Sequence, residues 1–183
     1  MITLINDFFN TFDEDIINFQ ILYNNILSTL DFTNIECSCG SDHCLTKHAY
    51  YNRKIKTIHG TSVLKVLRVK CSNCKHTHAV MFSCIIPYSQ IMLRQHLDII
   101  GSILSKPNED LMITYMIEES TIRYIKKQYK THWEACLAES KISLDIHLPS
   151  YCFSLFKKQF MQIKKLCNFP FFLDKIHFST LPT

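Results

Sequence analysis

Only three glycines occur in 183 residues, so a glycine-rich loop of the kind that cradles phosphates is excluded. Neither G-x-S-x-G nor H-E-x-x-H is present, which removes the familiar signatures of serine hydrolases and zinc proteases. Five prolines and so few glycines leave little material for flexible linkers. No apolar run reaches the ~18 residues that a membrane-crossing helix needs. The opening residues carry Asp7 and lack a basic stretch and a small-residue cleavage motif, so no secretory signal is expected. Internal repeats and low-complexity tracts are also lacking. Neither sign of charge dominates: 20 Lys and Arg against 16 Asp and Glu leave a net charge of only +4. That excess permits nucleic-acid binding without requiring it. With 47% hydrophobic and 20% charged residues, the chain has the balance of a folded globular protein, as one medium domain or two small ones.

Cysteine is what the chain has in quantity, with nine. Without a secretory signal the expected setting is a reducing cytoplasm, where clustered cysteines serve as metal ligands more often than as disulfides. Five of them fall in two groups. The first is Cys37-Ser38-Cys39-Gly40-Ser41-Asp42-His43-Cys44, and the second is Cys71-Ser72-Asn73-Cys74. Two tight turns that each supply a pair of thiolates build a tetrahedral site for one structural Zn²⁺. Cys71 and Cys74 form a clean C-x-x-C. Cys39 precedes Gly40, where a positive φ lets the backbone curl around a metal. Cys37 and Cys44 compete for the fourth place, with Cys37 slightly favoured, and His43 and His78 are weaker substitutes. A redox C-x-x-C would leave the first group unexplained. Four thiolates close the coordination shell, so the zinc is read as structural, with no catalytic residues. Cys84, Cys136, Cys152 and Cys167 are isolated and read as small buried hydrophobes.

Residues 2–30 place Leu4, Phe8, Phe12, Ile16, Phe19, Leu22, Ile26 and Leu30 at three- and four-residue steps, which predicts helix, with Thr11 or Asp13 as a cap. Its apolar face could dock a protein partner or a second copy. A connector follows over 31–36. Residues 47–58 predict a strand, His59-Gly60 a turn, and 63–70 a second strand. In that strand Val63, Lys65, Leu67 and Val69 would share one face. Residues 77–82 would return as a third strand.

His48-Ala49-Tyr50-Tyr51-Asn52-Arg53, Arg68-Val69-Lys70-Cys71, Thr77-His78-Ala79 and Pro87-Tyr88-Ser89 resemble an uncharacterised bacterial family of small proteins. Its members carry a zinc ribbon like that leading many insertion-sequence transposases, followed by a helix-turn-helix. The resemblance covers about residues 37–90. The family's first knuckle reads C-x-x-C-G, whereas here Glu36 stands where the first of those cysteines would be. The resemblance implies a setting more than an activity.

Beyond Pro87 the period becomes helical. Residues 91–105 carry Ile91, Leu93, Leu97, Ile100 and Leu104, and Lys106-Pro107-Asn108 breaks the run. Asn108 would cap a short helix over 109–117, and Ser120 a longer one to about residue 138. Short helix, tight turn and longer helix make the helix-turn-helix pattern. In the longer helix Ile122, Ile125, Tyr129, Trp133 and Cys136 form the apolar stripe. Arg123, Lys126, Lys127 and Lys130 line the neighbouring face, with Ser120 and Thr121 at the end where recognition helices touch base edges. Arg53 and Arg68, with Lys54, Lys56, Lys70 and Lys75, would meet phosphates from the ribbon. After a connector over 140–150, residues 151–166 read as an amphipathic helix, with Phe153, Phe156, Phe160 and Ile163 on one stripe and Lys157, Lys158, Lys164 and Lys165 on its flank. Residues 169–183 read as an aromatic tail.

The expected fold is α+β: a three-stranded antiparallel zinc ribbon over 35–90, an N-terminal helical segment over 1–34, a helix-turn-helix over 91–140, and a helix with its tail over 141–183. The expected function is DNA binding, with DNA as partner and without a membrane or a small-molecule substrate. A protein-interaction scaffold is the alternative. Cutting DNA takes carboxylates that hold metal ions. Residues 141–183, all that remain outside the other segments, hold only Asp145 and Asp174, which argues against an enzyme.

Overall fold

The computed structural model describes residues 2–5, 16–57, 60–145, 147–156 and 159–161. Residues rich in β-branched and aromatic side chains form a long hairpin, β2 (Leu45–Thr57) and β3 (Gly60–Cys71). Its strands pair from Leu45↔Cys71 to Thr57↔Gly60, with one irregularity between Lys47 and Ala49. β4 (Thr77–Phe82) returns antiparallel to β3, pairing only over Arg68↔Ala79, Val69↔His78 and Lys70↔Thr77.

The expected three-stranded antiparallel sheet is extended by a strand from the chain's start. β1 (Ile2–Leu4) lies parallel to β4 in register Ile2↔Val80, Thr3↔Met81 and Leu4↔Phe82. The sheet is therefore four-stranded and mixed, in the order β1-β4-β3-β2. Among the described residues the helical reading of 2–30 holds for α1 (Ile16–Thr29) and not for residues 2–4. Ile2, Thr3 and Leu4 are all buried, and a short run buried on both faces suits a strand beside β4 better than an amphipathic helix. The proposed caps Thr11 and Asp13 lie outside the described residues.

α1 fills the space where β3 and β4 stop pairing. The Gln20 amide accepts from the Lys65 N–H at 2.7 Å and donates to the Lys65 carbonyl at 3.3 Å, as a neighbouring strand would. The Tyr23 hydroxyl accepts from the Leu67 N–H and donates to the Val80 carbonyl, both at 2.8 Å. Phe19 and Tyr23 meet the Phe82 ring edge-on, with centroids 5.7 and 5.2 Å apart. This covering corrects the expected faces of β3. Leu64 and Val66 are buried, but so are Leu67, Val69 and Cys71, because the alternation changes phase where α1 meets the strand. Phe19, Tyr23, Ile26 and Leu27 are spent on the chain's own core, and Ile21 is a large apolar side chain that α1 exposes.

Among the described residues five helices follow: α2 (Leu93–Gly101), α3 (Asn108–Tyr115), α4 (Glu119–His132), α5 (Glu134–Glu139) and α6 (Leu148–Phe156). α4 packs on both α2 and α3 through buried Ile122, Ile125 and Tyr129. The Tyr115 hydroxyl bonds the Asp98 carboxylate and ties α3 to α2. Boundaries differ from expectation in four places. α2 stops at Gly101, so Leu104 is 97% exposed instead of completing the stripe. Asn108 is the first residue of α3, with Pro107 at its cap, and its side chain donates to Glu119 instead. The long helix breaks at Trp133, whose buried ring packs edge-on against Phe156 and Phe160. The break resets the helical phase, so Leu137 is buried and Cys136 is exposed, contrary to the expected stripe. Cys84 and Cys152 are buried as expected, and Cys167 lies outside the described residues. α6 opens earlier than expected, with Pro149 in its first turn where no N–H is needed. Ile163, the four lysines of its flank and the aromatic tail lie outside the described residues.

Candidate metal centre and basic helix

Cys37, Cys39, Cys71 and Cys74 converge at one end of the β2–β3 hairpin, with their sulfurs all within 4.8 Å of one another. Cys37 Sγ lies 3.7 Å from Cys74 Sγ, and Cys39 Sγ lies 3.8 Å from Cys71 Sγ. A tetrahedral ion with metal–sulfur bonds of about 2.3 Å holds its sulfurs about 3.8 Å apart. The donor set therefore fits such an ion, and these spacings are too long for a disulfide, whose sulfurs are about 2.05 Å apart.

Two local turns aim the thiols. In the first, Gly40 at φ +84° lets its N–H reach the Cys37 carbonyl at 2.8 Å, while the Cys37 N–H reaches the Ser41 carbonyl at 3.0 Å. In the second, the Lys75 N–H bonds the Cys71 carbonyl at 3.1 Å and the Cys74 N–H points at Cys71 Sγ at 3.4 Å. The turns are tied together by Asn73 Nδ2 donating to Ser41 Oγ and by the Ser72 N–H donating to the Cys44 carbonyl. Ser41, Asn73 and the backbone of Cys44 are the parts that sequence reasoning missed. They carry no metal-ligand chemistry, and a polar residue inside a turn gives no signal of what it will reach.

The thiols differ in proton affinity. Desolvation opposes ionisation of Cys71, but the N–H groups of Cys74 and Asn73 and the neighbouring thiols outweigh it and bring its pKa down to about 6. The Ser41 hydroxyl lowers that of Cys39. The His76 N–H favours the Cys74 thiolate, yet burial and the adjacent thiols push its pKa up to about 12. Four sulfurs this close cannot all carry charge unless a cation sits among them. Cys44, the rival for the fourth place, lies outside the group: it is buried, donates to the Ser41 carbonyl at 3.1 Å, and its pKa is pushed up to about 11, chiefly by that burial. His78 is buried with Nε2 3.4 Å from Cys37 Sγ, beside the thiol group. His43 is exposed at φ +50° and is not part of it.

Residues 37–125 match the family model of a domain of unknown function (DUF6431). No curated protein and no solved structure matches the chain. The matched segment opens on the first clustered cysteine, contains all four, and ends inside α4. Lys126, Lys127 and Lys130 thus fall beyond it.

The residues expected to meet DNA are divided by the structure. Ser120 is exposed and Thr121 half-buried in the first turn of α4. Arg123 is exposed but paired with Glu119 at 2.8 Å, and Lys126 donates to Asn108 Oδ1 at 2.9 Å. Lys127 and Lys130 are exposed and have no ion pair among the described residues. On the hairpin, Arg53 turns inward: Nη2 donates to the carbonyls of Ile86 and Ser89 at 2.6 and 2.8 Å, so it braces a loop. Arg68 is exposed, with its guanidinium 4.6 Å from the Tyr51 ring centroid. Lys54 and Lys75 are exposed, whereas Lys56 and Lys70 are half-buried.

Proposed function

We propose that the chain is a zinc-stabilised DNA-binding module without nuclease chemistry, related to the front end of insertion-sequence transposases. The spacing of the four sulfurs carries the zinc part, because it suits one tetrahedral thiolate-bound ion and leaves no open position for catalysis. Cys37, Cys39, Cys71 and Cys74 would hold the ion, which would lock the two turns and with them the end of the hairpin. The DNA part is supported by α3, the left-handed turn at Met116 and α4, which together have the layout of a helix-turn-helix. Lys127 and Lys130 on the outer face of α4 are the cations best placed for phosphates, and Arg68 on the hairpin would add a third.

Elemental mass spectrometry tests the first part: one zinc per chain is expected, absent from Cys71→Ser. Fluorescence anisotropy with duplex DNA across a salt series tests the second. Lys127→Glu/Lys130→Glu is expected to reduce the salt slope by about 2, one for each phosphate no longer neutralised. Duplex affinity unchanged in that variant would overturn the DNA reading. A protein-interaction scaffold is favoured by a different observation, the apolar side chains of Leu104, Ile113 and Met116, which are 97%, 78% and 61% exposed around α3.

A further inference from the structure

Away from the cysteines, a half-open cleft of about 450 Å³ lies between the end of β2, the loop over residues 86–91, and the first turn of α4. That volume is within the range of small-ligand sites. Its loop is held from several directions. Arg53 bridges the carbonyls of Ile86 and Ser89, the Ile91 N–H donates to Ser89 Oγ at 3.1 Å, and the Lys56 N–H donates to the Gln90 carbonyl. Thus braced, the loop keeps Tyr88 at φ +62° and 77% exposed. A bulky residue in the left-handed region is uncommon and persists only where its surroundings impose it. Tyr124, 52% exposed, lines the cleft from α4.

The wall of the cleft holds His96, which is only 3% exposed. Its Nε2 lies 2.9 Å from Ser89 Oγ, while its Nδ1 is buried with no partner among the described residues. Ser89 Oγ also accepts from the Ile91 N–H, and its second lone pair and its proton let it either accept from or donate to His96 Nε2. In either tautomer Nδ1 is a buried polar atom without a partner among the described residues. Burial keeps the ring neutral, with its pKa down at about 3. Ile86, Ile91 and Ile125 supply apolar surface, Ser120 and Thr121 supply hydroxyls, and Lys56 adds a cation.

We propose that this cleft binds a nucleotide unit, with its base against Tyr88 and Tyr124, the base's polar edge toward the hydroxyls of Ser120 and Thr121, and its phosphate near Lys56. Two exposed aromatic rings, two hydroxyls and a nearby ammonium match the flat face, polar edge and anionic tail of that ligand class. The unit could come from a free mononucleotide or from an unpaired single strand. The proposal does not depend on duplex binding by α4, and it adds a ligand that no motif of the sequence announces.

Isothermal titration calorimetry of the zinc-loaded full chain with the four deoxynucleoside 5′-monophosphates, and with dT and dA oligomers, tests it. Saturable binding is expected with the monophosphates if the source is a free nucleotide, and with the oligomers alone if it is a single strand. Tyr88→Ala and Tyr124→Ala should each weaken it at least about tenfold, a fold-change typical of removing one stacking ring. Tyr151→Ala, a half-exposed tyrosine on α6, should leave it unchanged. No binding to either probe, or binding indifferent to both cleft variants, would overturn the proposal. Lys127→Glu/Lys130→Glu should leave nucleotide binding intact, so a failure of the duplex reading and a failure of this one are separately visible.

Discussion

Replacing Tyr23 by Phe removes a single hydroxyl from the centre of the molecule. The ring and its edge-on packing against Phe82 remain. What disappears is the oxygen that receives the Leu67 N–H and donates to the Val80 carbonyl, in a residue with no solvent exposure. Both backbone groups would then be buried without a partner. They cannot bond each other, because β3 and β4 pair only over Arg68–Lys70 and Thr77–Ala79 and have parted by this point. Each unsatisfied group costs about 1–3 kcal/mol, so a destabilisation of about 3 kcal/mol is expected. For a chain of this size that lowers Tm by about 6–12 °C. Burial raises the Tyr23 pKa well above its usual value, so the hydroxyl keeps its proton and the difference should persist into mildly alkaline buffers. Urea unfolding followed by far-UV circular dichroism, with zinc present, measures it. The midpoint should fall with the slope unchanged. A destabilisation below about 0.5 kcal/mol would refute the reasoning, since the strands would then be closing the gap without α1.

Gly40→Ala should cost about 1–2 kcal/mol, because φ +84° is hostile to a side chain even though a Cβ there meets nothing within 4 Å. Gly101→Ala, with equal space and no positive φ at the end of α2, should instead stabilise by about 0.5–1 kcal/mol; the same direction for both in thermal melts would refute this contrast. His96 takes up its proton in the unfolded chain below about pH 6.5 but in the folded chain only near pH 3. Its contribution to stability is therefore whole above pH 6.5 and lost as pH falls toward 3. Between pH 7 and 5 the wild type should lose about 2 kcal/mol more than His96→Gln does, and equal losses would refute a buried neutral ring. Arg53→Lys cannot bridge Ile86 and Ser89 in the same way and should cost about 1–3 kcal/mol while leaving the salt slope of duplex binding unchanged. A changed slope at unchanged stability would return Arg53 to the phosphate role expected from the sequence.

Local chemistry is what the sequence conveys well. The C-x-C-G and C-x-x-C spacings point to a thiol cluster because a turn is a short-range object, and Cys37 and Cys39 do join Cys71 and Cys74. The strands of the hairpin and the presence of helices past Pro87 were legible for the same reason, since periodicity is set within a few residues. The order of short helix, turn and longer helix was legible too, although its ends were displaced by a residue or more.

Interactions between distant segments decided the remainder. Leu4 fits a helical apolar stripe, and only the free edge of β4 makes residues 2–4 a strand. The phase change in β3 needs α1 lying over it, and the break at Trp133 needs Phe156 and Phe160 to hold its ring. Arg53 looks like a surface cation in a basic strand until the loop over 86–91 offers it two carbonyls. The cleft is built from five stretches between Lys56 and Met161, His96 among them, that no spacing rule links. Secondary structure and a thiol cluster follow from interactions over a few residues, which a sequence displays directly. Burial, pairing partners and the reach of a charged side chain depend on which surfaces meet, and only the folded chain supplies that.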